Sequence, residues 1–302
     1  MIRAKITESQ VRMDTYISNH IADLSRSYAA QLIAQEMVLV NGKPVKASTK
    51  TIEGSILQID IPDPVVMNAD PEDIPLDIVY EDKDLLVINK PQGMVVHPAP
   101  GHHSGTLVHA LLHHCNGSLS DINGVIRPGI VHRIDKDTSG LMLAVKNNKI
   151  HEKIASMMAG HEIERHYRCL VHGVLDTDKG TIDAPIGRGV KDRKRMVVCE
   201  GGKPSVSHFT VHERFEKATD LKVRLETGRT HQIRAHMTFI NHPLLGDPLY
   251  APRRPRYGLS GQALHSCSIS FIHPGTNEKM YFESELPEYY LKTTELLRSG
   301  NL

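Results

Sequence analysis

The stretch from Asp60 to Leu76 constrains this chain most, because it is rich in proline and acid, with Pro62, Pro64, Pro71 and Pro75. Proline fixes φ and removes a backbone donor, so the segment suits an extended tether and not a core element. A chain of 302 residues then divides into two units of unequal size: a front piece over 1–61, a linker over 62–75 and a body over 76–302.

In the front piece, Ser25-Arg26-Ser27 offers a cap for a helix through Tyr28, Leu32 and Ile33, whose apolar spacing is helical. Glu36-Met37 ends it, and Val38-Leu39-Val40 alternates into Asn41-Gly42, a strong hairpin signal. Lys43-Pro44-Val45-Lys46 returns the chain, and Ser55 to Ile59 supplies another strand. A small αβ packing unit without a ligand is one reading. The helix-then-hairpin order, with Arg12-Met13-Asp14 and Ser25-Arg26-Ser27, also resembles the S4 RNA-binding module. That resemblance implies Arg12 and Arg26 as RNA contacts.

Short β-rich runs dominate the body: Ile78 to Tyr80, Leu85 to Asn89, Gly140 to Val145, Tyr167 to Val171, Arg195 to Cys199, Ser207 to Val211, Leu221 to Leu225 and Cys267 to Ile272. Helices fit Thr106 to His114, Lys149 to Met158, Thr230 to Ile240 and Pro287 to Arg298. Strands in succession with a few inserted helices predict an α+β body on a mainly antiparallel, mixed sheet flanked by helices and loops. With 40% hydrophobic and 24% charged residues the composition is that of an ordinary globular protein. A net charge of +1 does not identify a nucleic-acid partner, so any basic surface must come from local clustering. Met1-Ile2-Arg3-Ala4-Lys5-Ile6 runs at once into polar residues, and no apolar run is long enough for a bilayer, so the expectation is a cytoplasmic protein. Cys115, Cys169, Cys199 and Cys267 form no CxxC pair, which removes the zinc-finger and disulfide-framework classes.

The run His132-Arg133-Ile134-Asp135-Lys136-Asp137-Thr138-Ser139-Gly140 is crowded with ionisable groups directly after an apolar stretch. If it is extended, Arg133, Asp135 and Asp137 share one face and Ile134 packs on the other. A cation beside paired carboxylates suits proton or nucleophile chemistry near a phosphate-bearing substrate; a solvated charged turn is the alternative. Downstream lies Thr227-Gly228-Arg229-Thr230-His231-Gln232-Ile233-Arg234-Ala235-His236. There Gly228 suits a tight strand exit, Thr230 a helix start, and the fork of Arg234 a bidentate grip on a carboxylate. Tyr167 sits among cations in Arg165-His166-Tyr167-Arg168, able to stack on a base or simply to pack as a strand aromatic. Lys90, in Asn89-Lys90-Pro91-Gln92-Gly93, faces a phosphate or carboxylate, or else belongs to a structural turn. Cationic loops at Arg188 to Arg195 and at Arg253-Arg254-Pro255-Arg256 suit a polyphosphate backbone, solvated loops being the other reading. His109 and His113 share a helix face, yet no HExxH arrangement follows, and no metal site is expected.

Assembled, these motifs resemble the RluA/RluD family of pseudouridine synthases, the match running through most of 78–285 and including Gly202-Lys203-Pro204 and His242-Pro243-Leu244-Leu245-Gly246-Asp247. Ile134 stands where the family usually has leucine, a conservative swap on a buried face. The resemblance implies isomerisation of uridine to pseudouridine, with neither cofactor nor metal. Asp135 matches the family's catalytic aspartate, acting at the ribose either on C1′ or on the 2′ proton. Arg234 matches the arginine paired with it, Tyr167 the aromatic against the target uracil, and Arg133 the residue that enters the RNA stack in place of the flipped base. Lys90, Arg229 and His231 join the implied substrate contacts, and Asp137 with Lys136 braces the loop. The S4-like front and the family branch imply large-subunit ribosomal RNA as partner; no membrane partner is expected, and the chain is expected to be a monomer. Two rivals remain: a glycoside hydrolase built on paired carboxylates, and an RNA-binding assembly factor without catalysis.

Overall fold

The computed structural model describes residues 2–21, 24, 26–61, 69–99, 101–116, 118–122, 127–190 and 192–300. Ser25, Pro62, Pro64 and Lys191, which figure in the sequence reading, lie outside that set. The chain divides into two units, Met1–Val66 and Met67–Leu302.

The first unit runs β1 (Ile2–Lys5), α1 (Met13–His20), α2 (Arg26–Ala34), β2 (Val38–Val40), β3 (Lys43–Pro44) and β4 (Ile56–Ile59). Its strands form an antiparallel sheet in the order β1-β4-β2-β3. Asn41 and Gly42 take φ of 49° and 77°, the two positive angles that a two-residue hairpin turn requires. Met13, Tyr16 and Ile17 of α1 meet Leu32, Val38, Leu57 and Ile59 in one buried cluster. Asp14 is buried and holds both expected RNA contacts: it accepts from Arg12 Nε and Nη2 at 3.0 Å each and from Arg26 Nε at 3.2 Å. Those bonds, Arg12's above all, hold its carboxyl down at about 2.

The second unit is built on a nine-stranded sheet in the order β5-β6-β7-β14-β8-β13-β12-β9, with β15 paired to β14. Its strands are β5 (Ile78–Glu81), β6 (Leu85–Lys90), β7 (Ser139–Val145), β8 (Glu164–His172), β9 (Lys179–Asp183), β12 (Val206–Arg214), β13 (Ala218–Leu225), β14 (Leu264–Ile272) and β15 (Lys279–Glu283). A separate hairpin pairs β10 (Ile186–Arg188) with β11 (Met196–Val198). Every pairing in the large sheet is antiparallel except β7 with β14. At that parallel seam Gly140 has φ +110°, and a Cβ there would lie 2.6 Å from the backbone nitrogen of Ser266.

Both faces of the sheet are covered. Helices α3 (Leu107–His114) and α5 (Gln232–Phe239) pack Leu107, Leu111, Ile233 and Met237 against Met142, Ala144, Tyr167 and Val223. On the other face, α4 (Asn148–Ala159) sets Ile150 and Ile154 against Leu141, Leu143 and Val145, while α6 (Glu288–Ser299) sets Tyr290 and Leu297 against Leu170. Alternate residues of β7 thus serve two cores, which is why that strand reads as a continuous apolar run.

Two differences from the sequence reading concern segments. Residues 69–75, expected as tether, lie against this unit: Ala69 joins its core, and Glu72 accepts from Gly105 N at 3.0 Å. Helix α5 begins at Gln232 and not at Thr230, because its N-cap residue, His231, takes the left-handed conformation at φ 53°. Among the described residues no helix is long and apolar enough to cross a membrane.

Candidate active site

The charged run leaves the sheet core at Ile134, which is 6% exposed, and so Asp135 projects toward a cleft. The chain then turns: Thr138 N donates to Asp135 O at 3.1 Å. That turn ends the extended alternation. Asp137 packs against Gly261 instead of sharing the face of Asp135, so a carboxylate pair does not form.

Lys90 is not the substrate contact its sequence position implied. It is 0% exposed, and its Nζ donates to Pro91 O and Met94 O at 2.8 Å and to Lys136 O at 3.0 Å. Burial pulls its ammonium down to about 7, while three carbonyls match its three N–H donors. It clamps the 91–94 turn to the loop of Asp135 and presents nothing to a substrate.

Asp135 Oδ2 accepts from Arg234 Nη1 at 2.8 Å, and Oδ1 stands 3.8 Å from His231 Nε2, beyond hydrogen-bond reach. The bidentate partner of Arg234 is a different acid, Asp247, through Nε at 2.7 Å and Nη2 at 3.0 Å. Asp247 is 1% exposed and also accepts from the backbone nitrogens of Leu249 and Tyr250. Burial works against the Arg234 cation, but the bonds to Asp247 and the charge of Asp135 prevail and raise its pKa. The Tyr250 ring lies under that guanidinium at 5.0 Å and its hydroxyl bonds His231 Nδ1 at 3.1 Å. Burial, above the pull of Asp135, lowers the His231 pKa and favours a neutral ring at neutral pH.

On β8, Arg165 and Tyr167 point the same way into the cleft, as alternate strand residues must. Arg168 points oppositely, toward Asp220 and Tyr290. Tyr167 is buried, and burial raises its phenol pKa, so the hydroxyl stays protonated. At the mouth, Arg133 Nη1 donates to His97 Nε2 at 3.2 Å. Burial, reinforced by Arg133, pushes His97 down to about 4, so it accepts as a neutral ring. Arg229 is exposed and donates from Nε to Pro204 O at 3.2 Å. Gln232 closes the 227–232 loop: Oε1 accepts from Thr227 Oγ1 at 2.8 Å and Arg229 N at 2.9 Å.

The cleft is open to solvent and narrow, with a cavity volume of about 50 Å³. It brings together Asp135, Tyr167, Arg234, Arg133, Arg229 and His231, six residues chosen from the sequence. Lys90 stays outside it, and Arg12 and Arg26 belong to the first unit. Asp247, Tyr250 and Arg165 were missed. Asp247 closes the His242-to-Asp247 motif and Arg165 sits two residues before Tyr167, so both lay in signals already in hand; nothing marked Tyr250. Among the described residues no group of three or more His, Cys, Asp or Glu is arranged to hold a metal ion. His109 instead bonds Thr106 Oγ1 at 2.7 Å in the capping box of α3.

A single carboxylate gripped on one oxygen, beside a buried aromatic and several guanidinium groups, suits chemistry at a sugar carbon of a polyanion. A family model described as RNA pseudouridylate synthase matches residues 84–239. An uncharacterized RNA pseudouridine synthase of Bacillus subtilis is 48% identical over 299 residues, covering 99% of this chain and 98% of that protein. The ribosomal large subunit pseudouridine synthase D of Zymomonas mobilis is 43% identical over 296 residues, covering 94% of this chain and 93% of that protein. In fold, human RNA pseudouridylate synthase domain containing 1 superposes with a TM-score of 0.58 at 24% identity, over 70% of this chain and 83% of that one.

Proposed function

Because the chain belongs to the RluA/RluD family of RNA pseudouridine synthases, we propose that it isomerises specific uridines of large-subunit ribosomal RNA. The observation that carries the site assignment is the Asp135 carboxylate bonded to Arg234 at 2.8 Å in the cleft lined by Tyr167. A uridine inside a helix keeps C1′ and C5 out of reach, so the base must leave the stack. Arg133, exposed at the mouth, fills the vacated place, and Tyr167 meets the uracil face. Asp135, with Oδ2 held by Arg234, presents Oδ1 to the ribose, either to C1′ or to the 2′ proton. The N1–C1′ bond breaks, the base turns, and C5 bonds to C1′. The C5 proton is lost and N1 gains one, so the product is an isomer and no cofactor is required.

The first unit serves as an S4-like RNA-binding domain over 1–61, with Arg12 and Arg26 toward the RNA, ahead of a catalytic domain that takes in 69–75 together with 76–302. Arg229 and His231 contact the substrate beside Asp135. The acting unit is a monomer in this reading, and a ribosomal RNA substrate supports a cytoplasmic site of action. Mapping pseudouridines in large-subunit RNA from cells with and without the gene tests this reading. At least one position is expected to vanish with the gene; an unchanged map contradicts the substrate assignment.

A further inference from the structure

Arg165 is 6% exposed, lines the cleft beside Tyr167, and has a buried Nε with no hydrogen-bond partner. The other arginines of the cleft are engaged: Arg133 with His97, Arg229 with Pro204 O, Arg234 with Asp135 and Asp247. Both acids nearby are taken by Arg234, and among the described residues no ion pair or side-chain hydrogen bond engages Arg165. A buried guanidinium without an anion is destabilising, so its retention calls for a ligand that brings negative charge into this space. The backbone makes room for it. A Cβ on Gly228 would lie 2.8 Å from Arg165 Nη1, and Gly228 has no positive φ to explain the glycine otherwise.

We propose that Arg165 is a catalytic residue that donates to a carbonyl oxygen of the flipped uracil and stabilises the base as it departs with the N1–C1′ electron pair. This rests on the proposed isomerisation, and holds for either action of Asp135. In both, the base leaves as an anion whose charge spreads over N1, O2, O4 and C5. C5 then forms the new bond to C1′, loses its proton, and N1 is protonated. A guanidinium only donates, so it fits O2 or O4; at O4 it also rejects the amino group that cytosine carries there. A desolvated cation already in place needs no reorganisation when that charge develops, and one such donor is worth ~10²- to 10³-fold in rate.

The test uses the full chain, unlabelled and [5-³H]uridine-labelled large-subunit RNA transcripts, and the variants Arg165→Gln, Arg165→Lys and Gly228→Ala. Single-turnover tritium release is expected to fall ~100-fold or more for Arg165→Gln, less for Arg165→Lys, and toward the glutamine value for Gly228→Ala, with Kd within about threefold. On transcripts carrying 5-fluorouridine, whose fluorine stabilises the departing anion, the Arg165→Gln deficit in substrate consumption is expected to shrink at least tenfold. A merely structural arginine gives equal deficits on both substrates, and a phosphate contact puts the loss in Kd; either result, or an unchanged rate, overturns the inference. Absence of tritium release by the wild type fails the proposed function itself, and the inference with it. If Arg165→Gln does not fold, Arg165→Lys and Gly228→Ala carry the same comparison.

Discussion

Arg234 bonds Asp247 through two nitrogens and Asp135 through one, so removal of either acid should have different consequences. Asp247 is the anchor: without it a buried guanidinium loses its bidentate partner. Asp247→Ala is expected to cost about 3–5 kcal/mol of unfolding free energy, read as a lower urea midpoint, because a buried pair is broken on one side. A midpoint within experimental error of the wild type contradicts the anchoring role. Lys90 acts at the same scale through carbonyls. Lys90→Met leaves Pro91, Met94 and Lys136 carbonyls without their common donor, each such loss costing about 1–3 kcal/mol. The expected outcome is a lower Tm together with a slower single-turnover rate, since the freed loop carries Asp135; unaltered rate at a lowered Tm disproves the link to the site.

At the level of elements, the β7–β14 seam sets where the Asp135 loop joins the sheet. Gly140 is both in the left-handed region and against the Ser266 backbone, so Gly140→Ala combines strain with a clash that no side chain can relieve. A loss of roughly 4 kcal/mol or more is expected, read by circular dichroism melting; a loss under about 1 kcal/mol shows that the seam yields. In α1 the buried Asp14 couples stability to pH. Its folded value of about 2 lies below its ordinary 3.8, so its contribution is full above about pH 4 and lost as pH falls through about 2. Amide exchange across residues 13–20 is expected to accelerate over that window, and Asp14→Asn to flatten the acid limb while accelerating exchange at neutral pH.

For the whole molecule, what could be read from residues was what local pattern encodes. Val38 to Asn41-Gly42 and the doubly buried β7 declared themselves, and four helices of the second unit fell within a few residues of their spans. Exposed edge strands such as β9 and β15 were missed because only alternate residues are even partly buried there. Asp137 was placed wrongly because one hydrogen bond, Thr138 to Asp135, turns a segment that reads as extended. The clamp of Lys90 depends on Lys136, and the role of Tyr250 on Met196, contacts that no local window contains. The two-unit organisation also carries a prediction. Arg26, exposed beyond its bond to Asp14, is expected as a phosphate contact, so Arg26→Ala should reduce the salt slope of RNA binding by about one and leave bound-state turnover alone.

The most direct measurement is tritium release from [5-³H]uridine large-subunit RNA by the wild type and by Asp135→Asn, with RNA affinity measured in parallel. Asp135→Asn keeps the shape of the side chain and removes its charge. The wild type is expected to release tritium, and the variant to bind RNA with similar affinity while releasing none. Release by Asp135→Asn at the wild-type rate contradicts the assignment of the chemistry to that carboxylate.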